Sequence, residues 1–157
     1  NKKENKEKIF AGKLYNQILI QSNIILKNNN FFINKNYNTS FEIVTLFLII
    51  FIKYNISIKV INSKKINEEL IAIFISDLDE SFRIKGIGDM SIGKYVKKHV
   101  KKFYFRAANF PEKLNFEDHL LLDKYFTTTK FIFKKDYTEA SKAFVKHFRE
   151  IIEVYSN

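Results

Sequence analysis

Apolar positions along this chain recur mostly at steps of three and four, the repeat that lines one face of an α-helix. Ile9, Phe10, Leu14, Ile18, Ile24 and Ile25 follow it and predict a first helix over residues 9–26. Residues 1–8, charged and polar, read as a flexible basic tail ahead of it. The Asn-rich stretch 28–39 predicts a loop, with Phe31, Phe32 and Tyr37 docked on the core. Ser40 is placed to cap a second helix, 41–54, which is apolar on nearly all sides and so should be central. Its apolar run falls short of the roughly twenty residues of a membrane span, so a buried core helix is expected. Residues 56–61 alternate apolar and polar, as a short strand would, but read rather as a connector or an extended end of that helix. Ile66, Leu70, Phe74, Leu78 and Phe82, at steps of four, predict a third helix over 65–85 that ends at Gly86. Asp89 or Ser91 can cap a fourth, 92–110. Pro111 should open a fifth, carrying Phe116, Leu120, Leu121, Leu122, Tyr125 and Phe126. Residues 127–135 are β-branched and aromatic and read as extended. Ala140, Phe144, Phe148, Ile151 and Val154 predict a last helix over 137–155.

Composition supports long helices over a turn-rich β fold, because 157 residues hold only 4 Gly and 1 Pro. The expectation is an all-α fold, a single compact bundle of about six helices with one or two very short extended segments, forming one domain over 9–157. With no Cys there are no disulfides, thiolate metal sites or Cys nucleophiles. The three His, at 99, 119 and 147, include no pair four apart on one helix face. No cofactor and no catalytic residue is expected, and no nucleophile–base pair stands at a telling spacing. The run from Gly88 to Tyr95 nearly spells a phosphate loop, G-x-x-x-x-G-K-[S/T], but Tyr95 replaces the hydroxyl that holds the metal. A helix also precedes it where a nucleotide fold needs a strand.

The net charge of +10 rests almost wholly on Lys, with Arg only at 83, 106 and 149. Abundant Asn, Ile and Lys fit a genome of low GC content, which inflates Lys everywhere. Scarce Arg argues against base reading in DNA. The charge still favours acidic partners: RNA, anionic headgroups or an acidic protein surface. On a wheel of about 100° per residue, Val96, Val100, Phe103 and Ala107 share one face of the fourth helix. Lys94, Lys97, Lys98 and Lys101 share the other, with Phe105 among them. A solvated helix explains lysines alone, but an aromatic residue among them suits a contact surface. Arg106 flanks the core face and is placed to pair with Asp77.

One stretch carries a family likeness. Asp77-Leu-Asp-Glu-Ser-Phe-Arg83-Ile-Lys-Gly86-Ile-Gly88-Asp89, the basic run Lys94-Tyr-Val-Lys97-Lys98, and Phe103-Tyr104-Phe105-Arg106 resemble the ubiquinol–cytochrome c chaperone family. The family pattern has an Asp on a helix, an Arg six residues on, Gly-x-Gly-Asp, a basic helix, then Phe-Tyr-Gly-Arg. Phe105 departs from it, standing where the pattern has Gly. The likeness covers about residues 10–130 and is sharp over 70–110. It implies an assembly factor, not an enzyme, that binds newly made cytochrome b and assists biogenesis of ubiquinol–cytochrome c reductase. The resemblance implies as partners cytochrome b or another component of that complex, the ribosome and a small partner protein, while the charge adds RNA or an anionic membrane surface. Implied localisation is the bacterial cytoplasm at the inner membrane, or the mitochondrial matrix in a eukaryote. The expected partner-binding residues are Asp89, Lys94, Lys97, Lys98, Lys101, Tyr104 and Phe105. Asp77, Arg83, Gly86, Gly88, Phe103 and Arg106 are expected to build the motif. The competing reading is a basic helical RNA- or ribosome-binding module.

Overall fold

A computed structural model describes residues 2–113, 115 and 119–156. It contains α1 (Lys2–Asn28), α2 (Tyr37–Ser57), α3 (Ser63–Ile84), α4 (Asp89–Ala108), α5 (His119–Thr129) and α6 (Tyr137–Ile152), with 3-10 turns at Lys134–Asp136 and Glu153–Ser156. The fold is all-α, as the periodicity predicts. Phe116 and the side chain of Leu120 lie outside the described residues.

Several boundaries differ from the sequence expectation, each for a local reason. α1 extends back to Lys2, ahead of the start at residue 9 that the apolar spacing predicts. α2 begins at Tyr37 because Asn36, not Ser40, caps it: the Asn36 side chain accepts the Thr39 backbone N–H at 3.1 Å, three residues in, as an N-cap does. Pro111 does not open a helix, and α5 starts at His119. The threonine run 127–129 stays helical instead of extended. Each hydroxyl bonds back to the carbonyl four residues earlier, on Asp123, Lys124 and Tyr125. Among the described residues extended pairing is confined to one antiparallel bridge between Phe32 and Ile132, held by Ile33 N–H to the Phe131 carbonyl at 3.1 Å and Phe133 N–H to the Phe31 carbonyl at 2.9 Å.

Packing divides the chain into two compact units. The first comprises residues 1–15 and 55–110. Its α3 buries the predicted face, Ile66, Leu70, Phe74, Leu78 and Phe82, and α4 answers with Ile92 and Phe103. Phe74 and Phe103 meet at 5.3 Å. The second unit comprises 16–54 and 111–157. Here α2 is buried around much of its circumference, from Phe41 through Phe51, which makes it a core helix although its length and composition would also allow a membrane crossing. Its Phe47 packs on Phe144 at 5.2 Å and its Phe51 stacks on Phe148 at 4.9 Å, so α6 supplies the complementary aromatic stripe. Phe31 and Phe32 are buried as expected, while Tyr37 heads α2 half-exposed.

Candidate partner-binding site

The stretch that carries the family likeness is the α3–α4 hairpin of the first unit. α3 ends at Gly86, whose φ of 87° is the left-handed conformation that a residue with a Cβ resists. Gly86 N–H bonds the Arg83 carbonyl and Ile87 N–H the Phe82 carbonyl, satisfying two carbonyls left over at the helix end. Gly88 stands at the N-cap of α4 in extended geometry, its carbonyl taking the first helical bonds from Ser91 and Ile92. α4 therefore starts at Asp89, three residues earlier than expected, and neither Asp89 nor Ser91 caps it through its side chain. In the first turn the Asp89 carboxylate suits the positive end of the helix dipole.

Arg83 ties the hairpin together. Its Nε donates to Asp79 Oδ1 at 2.7 Å and its Nη1 donates to Asp89 Oδ1. The two carboxylates raise the guanidinium above its ordinary pKa, Asp79 contributing most. Asp89, expected to face a partner, is thus engaged within the hairpin. Asp77 accepts the Tyr15 hydroxyl at 2.6 Å, a contact between α3 and α1 that no spacing rule in either helix discloses. Arg106 is half-buried on α4.

The remaining expected residues share the solvent side of α4. Phe103 is 1% exposed, whereas its neighbours Tyr104 and Phe105 are 51% and 61% exposed. Lys94, Lys97, Lys98 and Lys101 are all exposed beside them. Met90, which was not singled out, is fully exposed. It falls on the same stripe of the wheel, so its position was readable. Met90 and Phe105 bracket the four lysines along about 22 Å of helix. His99 lies toward the inner side, 4.8 Å from the Phe82 ring. Its Nδ1–H donates to the Tyr95 carbonyl at 2.9 Å.

A second feature lies across α3. Lys8 and Tyr15 of α1 and Glu69, Ala72, Ile73, Ser76, Asp77 and Glu80 of α3 line an open groove of about 420 Å³. Three carboxylates face one lysine there, in a chain of net charge +10. The groove beside α3 is thus shared with α1, not with α4. Ala72 and Ser76 are small enough to admit a partner backbone, and Ile73 gives the floor an apolar element. Among the described residues no cluster of His, Asp and Glu could hold a metal ion. The arrangement offers a cationic, partly aromatic helix face and an acidic groove.

A family model described as Ubiquinol-cytochrome C chaperone matches residues 29–146, three quarters of the chain and the whole α3–α4 hairpin. No curated protein and no solved structure matches.

Proposed function

The chain belongs to the ubiquinol-cytochrome C chaperone family, and from that membership, which implies a non-enzymatic role in assembling the respiratory complex, we propose that it binds newly made cytochrome b. The observation that carries this reading is the family match across the hairpin, joined to a hairpin that presents two surfaces of opposite charge. The groove of α1 and α3 takes an early segment of the client. Segments of a membrane protein carry Lys and Arg at their cytoplasmic flanks, and an acidic groove with an apolar floor suits such an end. The α4 stripe holds an acidic or phosphate-bearing neighbour. Like charges at steps of three and four cost a helix about 0.2–0.5 kcal/mol per pair, and Lys94, Lys97, Lys98 and Lys101 form such pairs with no carboxylate among them. An anionic partner removes that repulsion. The protein works in the bacterial cytoplasm at the inner membrane, or in the mitochondrial matrix if the host is a eukaryote.

The test is an affinity pull-down from native membranes after mild crosslinking, with and without ribonuclease, read by mass spectrometry. Cytochrome b should be enriched with or without the nuclease. Lys97→Glu, Lys98→Glu and Lys101→Glu together should weaken the association about tenfold or more. Recovery of only RNA and ribosomal proteins, lost on nuclease treatment, would replace this reading with the RNA-binding one, which the lysine stripe alone would then explain.

A further inference from the structure

The connection between α2 and α3 is built unlike an ordinary surface turn. Ile56, Ile58 and Ile61 are 60%, 45% and 84% exposed within six residues. From Asn55 to Asn67 the chain carries Lys59, Lys64 and Lys65 and no carboxylate. Acids beside it include Glu69, which pairs with Lys65 at 3.3 Å, and Glu7 of α1, which accepts the Asn62 side chain at 2.6 Å. Lys59 and Asn62 both hold left-handed backbone, φ 55° and 60°. Asn tolerates that conformation, but for Lys it is unfavourable. The turn is nonetheless firmly closed. Val60 N–H bonds the Asn55 carbonyl at 3.1 Å and Ser63 N–H the Val60 carbonyl at 3.1 Å. Beneath it the buried Asn55 side chain donates to Asn67 at 2.9 Å, joining the end of α2 to the start of α3. Strained backbone and a buried amide pair therefore hold three isoleucines outward, in water, without a covering element among the described residues.

We infer that this turn is a docking prong for an anionic lipid surface. Aliphatic side chains at the tip of a closed turn enter the boundary between headgroups and acyl chains, while lysines at their base meet the phosphates. Charge decides in favour of lipid: the prong has only cations within its own sequence, as an anionic headgroup layer requires. The isoleucines bring no hydrogen-bonding group that would need a specific protein partner. The inference does not depend on cytochrome b being the client, since it concerns a different surface from the α4 stripe and the α1–α3 groove.

The experiment uses the full chain and vesicles, either of phosphatidylcholine alone or of equal parts phosphatidylcholine and phosphatidylglycerol. The protein should co-sediment with the second kind and not the first. Ile58→Glu with Ile61→Glu should reduce binding on the order of a hundredfold, because each of the two lost insertions is worth about tenfold, while the helical circular-dichroism signal is kept. The chain has no Trp, so Ile61→Trp supplies a single reporter, and its emission should shift to the blue on mixed vesicles. The inference is overturned if the unmodified protein stays in the supernatant, if the introduced indole stays in water, or if binding is lost only with the α4 lysines. It is likewise overturned if the turn variant keeps vesicle binding but sheds a protein otherwise recovered with the chain.

Discussion

At the scale of single residues, two histidine rings are drawn partly out of water, and that burial lowers the pKa of each. His99 packs on Phe82 in the first unit, and burial lowers its pKa, with Lys102, Lys98 and Lys85 adding to the effect against the Tyr95 carbonyl. His147 donates from Nδ1 to Gln21 at 2.6 Å in the second unit, and burial again lowers its pKa, assisted by Lys146 and opposed by Glu150. A histidine held below its unfolded value gives stability above about pH 6.5 that is lost as the unfolded chain takes up protons the folded one refuses. The thermal midpoint should therefore fall between about pH 7 and about pH 5. His99→Asn, whose amide can still reach the Tyr95 carbonyl, should flatten that fall. An unchanged slope would mean that His99 does not carry this dependence. The wheel already puts His99 near the inner face of its helix, but nothing in that helix discloses Phe82, the ring that takes it out of water. Phe103 and Phe105 differ the other way: spacing alone separates the buried one from the exposed one, and the structure agrees.

At the scale of elements, the turn between α3 and α4 contains two glycines that a motif treats alike and the backbone does not. Gly86 has a φ of 87° with open space around its missing Cβ, so an alanine there meets no clash but a left-handed backbone. Gly88 has a φ of −68° and also open space, so alanine fits, although it is a poorer N-cap than glycine. Gly86→Ala should destabilise by roughly 1 kcal/mol, and Gly88→Ala should stay within about 0.5 kcal/mol, both read from the urea midpoint. If Gly88→Ala weakens association with the client while leaving stability alone, the glycine at 88 answers to a partner's approach and not to the fold. Helix α3 was legible nearly whole, because one unbroken step of four and a terminal glycine define it. The starts of α2 and α4 were less so. Asn36 and Ser40 are equally good caps by residue type, and at Gly88 the cap is made by backbone alone. The threonines of α5 misled through their β propensity, which their own back-bonded hydroxyls override.

At the scale of the whole molecule, the division into two units was only partly legible: one boundary falls at Pro111, the chain's one proline, but the other two fall inside α1 and α2, where no linker marks them. Net charge was legible at once, and it has a consequence for stability. A chain at +10 repels itself, and the α4 stripe concentrates that repulsion on one helix. Reversing Lys97, Lys98 and Lys101 to Glu cuts the net charge by more than half and turns the 94/97, 94/98 and 98/102 pairs from like to opposite, while 97/101 and 98/101 stay like-charged. The triple variant should therefore be more stable than the natural chain in low salt, by about 1 kcal/mol for the pairs exchanged. The gap should close as ionic strength rises toward the physiological range, where charges more than about 8 Å apart are screened. Thermal unfolding of both proteins across a salt series measures this directly. A variant that gains stability while losing its partners would show that the lysines serve association at the expense of the fold. A variant that loses both would make them structural, and would move the search for the binding surface to the acidic groove of α1 and α3.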